Sequence, residues 1–323
     1  MNGTFHAHQD IDRLAPRRVE RAADFGRVAL LVGGDSAERE VSLDGGAAIA
    51  RSFERSGITH ELFDGAPALF ESIRAGRVDR VFNLMHGPGG EDGAIQGALD
   101  LMGVPVTGSG VLGSALTMDK VRSKWIWQRL GMDTAEFRTV PSGPVDAASL
   151  LEGFELPVFV KPNGLGSSIG VSRVAAPEAL APAVEDARRH GGEVLVEQGI
   201  AGGEYFAGII GRTVLPLIRI ETPRAFYDYE AKYQSDDTRY YCPCGLEPDL
   251  ERTLRERSLA AFDALGASGW GRVDFILDAD ERAWFLEVNT APGMTDHSLV
   301  PQAAETIGVE FDELVWRILE TSL

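Results

Sequence analysis

Residues 28–32, Val28-Ala29-Leu30-Leu31-Val32, form an unbroken apolar run that ends at Gly33-Gly34. A run of this kind, with no polar interruption, predicts a strand buried on both faces that feeds a loop. Ser42 is placed to cap a helix over residues 43–55. A second strand is predicted over 81–85, running into His86-Gly87-Pro88-Gly89-Gly90. A helix over 91–101 and a short strand over 104–107 follow. Strands alternating with helices predict a parallel sheet. Ligands of such sheets sit beyond the carboxyl ends of the strands, where Glu38 and His86 fall.

A long amphipathic helix is predicted over 114–130, after which the pattern changes. A strand over 156–161, a Gly/Ser-rich loop over 163–170, a returning strand over 169–174, a helix over 177–190 and a strand over 194–197 make an α+β layer. Two more strands are predicted over 204–210 and 214–220. Residues 221–248 have little apolar periodicity and are rich in Tyr, Asp and Lys. Stretches this long inside a domain are usually lids or Ω-loops. A helix over 249–265, a hairpin of strands 273–277 and 283–289 turning at Asp278-Ala279-Asp280-Glu281, and two further helices close the chain.

The 323 residues carry 31 Lys and Arg against 49 Asp and Glu, a formal charge of −18. A basic face for a phosphate backbone is not expected, nor docking on anionic lipid. No apolar run is long enough to span a bilayer. Residues 1–26 are polar and charged, lack the apolar core of a signal peptide, and are expected to be a mobile tail or a poorly packed helix before the first domain. The expected address is the cytoplasm. Two cysteines, Cys242 and Cys244, are expected to be ordinary reduced thiols.

Chemistry concentrates at the C-terminal hairpin. Side chains alternate along a strand, so Glu287 and Asn289 share a face, and Asp274 lies on the partner strand. Two carboxylates and an amide oxygen suit Mg²⁺ held against nucleotide phosphates, or make a polar sheet face with no ion. The segment Lys161-Pro162-Asn163-Gly164-Leu165-Gly166-Ser167-Ser168-Ile169-Gly170 is neither a Walker A loop nor a dinucleotide fingerprint. It joins two strands and can fold over phosphates, or be a plain flexible hairpin. Lys120, Lys161 and Lys232 come from separate elements. Each is a solvated surface lysine or one of a set of cations gathered for a polyphosphate.

Taken together, these stretches resemble the D-alanine–D-alanine ligases of the ATP-grasp superfamily. The matching stretches are residues 33–42 (GGDSAEREVS), 86–93 (HGPGGEDG), 108–110 with 118–120, 161–162 with 166–170, 226–233 (FYDYEAKY), 269–274 (GWGRVD), and 287–295 with 297–299. They occur in family order from about Arg27 to the C-terminus. The resemblance implies a doubly wound N-terminal domain followed by a two-part ATP-grasp fold, with the N-terminal α/β domain over 27–118, a central subdomain over 119–200 and a catalytic subdomain over 201–323. It implies ATP and two Mg²⁺ (or Mn²⁺) as cofactors, D-alanine as substrate, synthesis of a peptidoglycan precursor, and a homodimer.

The resemblance also implies roles. Asp274, Glu287 and Asn289 would hold the metals. Lys120, Lys161 and Lys232 would touch phosphates, and Glu197 and Glu204 the adenine and ribose. Arg272 and the Gly293 N–H would meet the oxyanion. Glu38 would hold the first ammonium, and Ser298 with the Leu299 N–H the second carboxylate. Glu38, Ser167 and Tyr233 would form a hydrogen-bonded set closing the loops. Tyr233, with or without His86, is a candidate base, and His86 is expected in the substrate site. Ala291 stands where many relatives have serine and Val288 where many have alanine, which should change packing and leave coordination alone. Relatives that make the D-lactate product carry Phe in place of the loop tyrosine, so Tyr233 favours the dipeptide.

Overall fold

Strand β1 (Val28–Val32) is buried at every position, and its two faces serve two cores. Val28, Leu30 and Val32 pack with Ile49 and Phe53 of α1 (Arg39–Ser56). Ala29 and Leu31 turn the other way, onto Leu69 of α2 (Ala66–Arg74) and Ile95 and Leu99 of α3 (Ala94–Leu101). The unbroken apolar run is thus two period-2 stripes superimposed. β2 (His60–Asp64) and β3 (Arg80–Asn83) flank β1, both parallel to it, in the order β2-β1-β3. The computed structural model describes residues 13–223, 237–295 and 298–323.

The second sheet is antiparallel, in the order β4-β7-β5-β6, with β4 Phe137–Thr139, β5 Val158–Pro162, β6 Ser172–Val174 and β7 Val194–Gln198. Val158, Val160, Val194 and Val196 face α7 (Leu180–Arg189) in a common core, and the short α6 (Ala147–Leu151) adds Leu150. By alternation Phe159, Lys161 and Glu197 face away from that core.

The third sheet runs β11-β10-β8-β12-β13, with the short β9 paired to β8. Its strands are β8 (Gly203–Ile210), β9 (Thr213–Val214), β10 (Ile218–Glu221), β11 (Arg239–Tyr241), β12 (Trp270–Leu277) and β13 (Ala283–Asn289). One face packs Val273, Phe275 and Phe285 on α8 (Pro248–Ala264). The register Asp274↔Glu287 is followed by Phe275↔Phe285, so β13 advances two residues where β12 advances one. Leu286 is the extra residue of a β-bulge. In a regular strand of this sequence, with Leu286 paired in turn, Glu287 and Asn289 would share the buried face of Ala283 and Phe285. With the bulge Val288 enters the core instead, and Glu287 and Asn289 turn to the opposite face.

Several expected elements differ. The helix expected over 114–130 is two, α4 (Val111–Met118) and α5 (Lys120–Arg129). The break is Asp119, whose backbone is extended and whose Oδ1 accepts the Arg122 N–H at 2.9 Å. A capping aspartate at that point starts a new helix. Ser42 lies inside α1 and caps nothing; its Oγ donates to the Leu84 carbonyl at 2.6 Å and accepts the Gly33 N–H at 2.8 Å. The strand expected over 104–107 is a single bridge, Val81↔Val106. That expected over 214–220 is divided between β9 and β10.

The N-terminal tail, expected to be mobile, is packed over residues 13–26. Arg17 Nε donates to Glu313 at 3.0 Å and its guanidinium lies 4.4 Å above the Trp316 ring. The Arg18 N–H donates to Glu320 Oε1 at 2.6 Å. Phe25 is fully buried, edge-on to Trp316 at 4.9 Å. The polar look of this segment reflects an ion pair and hydrogen bonds to the last helix, α10 (Phe311–Glu320), beyond α9 (Leu299–Glu305). Among the described residues no helix is long and apolar enough to cross a membrane. Phe25→Ala should lower unfolding stability by about 3–5 kcal/mol in urea titration followed by tryptophan fluorescence.

Candidate functional site

The outward faces of the second and third sheets meet across a cleft. Phe159, Lys161 and Glu197 line it from one side, and Glu204, Asp274, Ile276, Leu286 and Glu287 from the other. Lys120, the first residue of α5, closes one end beside Leu165 of the glycine-rich loop. A slot lined by both apolar side chains and charges has the chemistry of a site for a flat ring carrying an anionic tail.

The charges that line the cleft are paired with one another. Arg272 Nε and Nη2 each lie 2.7 Å from one oxygen of Asp274, two residues along the same strand face. The Arg272 guanidinium also lies 5.1 Å over the Phe206 ring. Asn289 Nδ2 donates to Asp274 Oδ2 at 3.2 Å. Lys120 Nζ lies 3.1 Å from Glu287 Oε2 and donates to the Leu165 carbonyl at 2.6 Å. Lys161 Nζ donates to Glu197 Oε1 at 2.7 Å, and Lys124, which sequence reasoning passed over, approaches Glu197 Oε2 at 2.7 Å. Burial alone would raise the Glu197 carboxyl, but the two lysines outweigh it and hold it down to about 2. Among the described residues no cluster of three His, Cys, Asp or Glu side chains could hold a metal unaided. Asp274, Glu287 and Asn289 offer two carboxylates and an amide on one face, a set that suits a hard cation whose remaining ligands are phosphate oxygens.

A second set of groups lies where the first sheet meets the third. Glu38, at the N-terminal cap position of α1, is buried and accepts a short hydrogen bond from Ser167 Oγ. Two glycines make this approach possible. A Cβ at Gly87, where φ is +69°, would sit 3.1 Å from Glu38 Oε2, and one at Gly166 would sit 3.1 Å from Oε1. Ser167 and Ser168 have φ of 50° and 57°, a region L-residues seldom occupy outside sites where geometry is imposed. His86 is buried and hydrogen-bonded to the backbone of Ala291, and its Nε2 has no partner among the described residues. Burial pushes its pKa down to about 4, with Arg272 adding to the effect. A neutral ring of that kind is a weak base and a capable hydrogen-bonding group.

Ser298 stands at the N-terminal cap of α9, yet its Oγ is turned back to Thr295, accepting the backbone N–H at 2.9 Å. A Cβ at Gly293 would come within 3.0 Å of that Oγ, so residues 293 and 298 are close neighbours. Leu299, the first residue of α9, is buried. Lys232 and Tyr233 lie outside the described residues.

Glu91 joins the two halves of this region and was not singled out from the sequence. Its Oε2 accepts the Gly87 N–H at 2.8 Å and its Oε1 the Ala291 N–H at 3.2 Å. Desolvation, then the neighbouring Glu38 carboxylate, pushes its pKa up to about 8, far above the ordinary carboxylate range. The folded state therefore keeps a proton that the unfolded chain gives up. The resulting stabilisation is complete below about pH 4.5 and is lost as pH rises through about 8. Between pH 5 and pH 8.5, Glu91→Gln should lose less stability than the parent, by more than about 1 kcal/mol in urea titrations. Equal slopes for the two proteins would refute this.

Residues 126–320 match the family described as D-ala D-ala ligase C-terminus, and residues 64–109 the corresponding N-terminus. A D-alanine–D-alanine ligase of Methylococcus capsulatus is 50% identical over 306 residues, covering 95% of this chain and 99% of that protein. One from Chromohalobacter salexigens is 51% identical over 297 residues, 92% of this chain and 94% of its own. The crystal structure of a D-alanine–D-alanine ligase from Bacillus anthracis superposes with a TM-score of 0.80 at 33% identity, covering 92% of this chain and 97% of that one. The VanG D-Ala:D-Ser ligase of Enterococcus faecalis gives 0.78 at 29% identity, covering 92% and 99%.

Proposed function

This chain belongs to the D-alanine–D-alanine ligase family, and we propose that it joins two D-alanine molecules into D-alanyl-D-alanine at the expense of ATP, as a step in peptidoglycan precursor synthesis. The observation that carries this reading is the cleft between two antiparallel sheets in which Lys120, Lys161, Asp274 and Glu287 converge. Three domains fit the three sheets, over residues 27–118, 119–200 and 201–323. A homodimer working in the cytoplasm is the expected setting.

The adenine would lie in the apolar slot, with Glu197 and Glu204 beside adenine and ribose. Lys120, Lys161 and Lys232 would meet the phosphates. Each described lysine of that set already has a carboxylate partner, so phosphate binding is an exchange of anions and not the capture of a bare charge. Asp274, Glu287 and Asn289 would hold Mg²⁺ or Mn²⁺, which when bound draw charge off the phosphate oxygens.

In the first half-reaction a carboxylate oxygen of one D-alanine attacks the γ-phosphorus. The bond to the bridging oxygen breaks and ADP leaves, giving D-alanyl phosphate. Glu38 would anchor the ammonium of that D-alanine, and its link to Ser167 ties the glycine-rich loop to the first domain. In the second half-reaction the other D-alanine loses a proton from its ammonium, and its nitrogen attacks the acyl carbon. The oxyanion that forms would be met by Arg272 and the Gly293 N–H before phosphate departs. Ser298 and the Leu299 N–H would hold the second carboxylate. Tyr233 is the better candidate for the base, because His86 is too weakly basic at neutral pH to take a proton from an ammonium.

Incubation with ATP, Mg²⁺ and a mixed pool of D-amino and D-hydroxy acids, followed by mass spectrometry, should give D-alanyl-D-alanine with one ADP per dipeptide. D-alanyl-D-lactate or D-alanyl-D-serine as main product would reassign the acceptor, and ATP binding without turnover would leave a nucleotide-binding protein. Arg272→Ala should cut kcat about 10²–10³-fold. Asp274→Ala and Glu287→Ala should each abolish measurable synthesis at ordinary Mg²⁺ concentrations.

A further inference from the structure

Glu197 has two lysine partners and the two are not alike. Lys124 Nζ meets its Oε2 and Lys161 Nζ its Oε1, both at 2.7 Å. The Lys161 side chain is 15% exposed and lines the cleft, whereas that of Lys124 is 1% exposed and lies behind it. Lys124 is also held from its far side. Its Nζ donates to Thr134 Oγ1 at 2.7 Å, and Thr134 Oγ1 donates to the Phe285 carbonyl at 2.7 Å. Lys124 is thus a fixed cation braced between α5, β7 and β13, and Lys161 is a partly exposed one at the cleft wall.

The proposed function asks Lys161 to turn from Glu197 to a phosphate. A buried carboxylate that lost its sole counter-charge would make that move strongly unfavourable. We propose that Lys124 is a positioning residue that keeps Glu197 neutralised while Lys161 changes partners, and so sets the affinity for ATP. This rests on the reading of the cleft as a nucleotide site, and it adds a residue that touches no substrate. Thr134 shares the task by fixing where Lys124 can reach.

A double-mutant cycle tests it, with ATP dissociation constants measured by titration calorimetry on the full chain. Lys124→Met should weaken ATP binding on the order of tenfold in the parent protein, because Lys161 is then held by Glu197. In the Glu197→Gln background the same substitution should cost less than about twofold. Any direct contact of Glu197 with the nucleotide cancels from that comparison. KM for D-alanine should stay within about twofold of the parent value. Equal losses in both backgrounds, or no loss in either, would overturn the proposal. If Lys124→Met does not fold, Thr134→Val replaces it: a severalfold weaker affinity for ATP that disappears with Glu197→Gln supports the proposal, and an unchanged affinity overturns it. A parent protein that does not bind ATP would remove the proposed function itself, and this inference with it.

Discussion

A charge withdrawn from bulk water must meet an opposite charge or be lost, and the cleft between the second and third sheets is built around that constraint. Glu197 sits between Lys124 and Lys161, Glu287 faces Lys120, and Asp274 is gripped by Arg272. Every one of these contacts crosses from one secondary-structure element to another or ties two positions on one strand face. The same pairs that neutralise these buried groups also store the charges that polyphosphate chemistry requires. An acidic chain can therefore keep a local concentration of cations without a basic surface.

The two sheets supply these groups by one device, strand alternation, applied in two ways. In the second sheet valines face α7, and the intervening Phe159, Lys161 and Glu197 face the cleft. In the third sheet β12 does the same with Val273 and Phe275 against Arg272 and Asp274. Packing of one face fixes the other, so the charged groups inherit their positions from the hydrophobic core. Glu38 and His86 reach the site differently, from loops beyond the strands of the parallel sheet, and glycines at 87 and 166 allow the loops to close on the Glu38 carboxylate.

Much of this was legible from residue pattern. The run 28–32, the hairpin of β12 and β13 and the helix after residue 248 follow from periodicity, and the ordered motifs point to the family. What stayed hidden has specific causes. β2 exposes most of its positions and buries Phe63 alone at full depth, so its apolar signal is weak. Asp119 looks like an interior helix residue until its backbone is seen to be extended. Lys124 and Glu91 are ordinary helix and loop residues by type; what distinguishes them is which partners the fold brings to them. The N-terminal segment reads as a tail because its anchors, Glu313, Trp316 and Glu320, lie some three hundred residues away.

The additional residue in β13 divides that hairpin into two segments with opposite facing rules. From Ala283 to Phe285 odd numbers point into the core; from Glu287 onward odd numbers point out of it. The arm that ends at the turn after β12 can change sequence, or change length equally in both strands, without rotating the two ligating positions, because the Asp274↔Glu287 register lies beyond it. The same residues paired as a regular strand, with no bulge to take up Leu286, would keep most of the hairpin, yet they would drive Glu287 and Asn289 into hydrocarbon and set Val288 in the cleft. Reach and aim are thus specified by separate parts of one short strand.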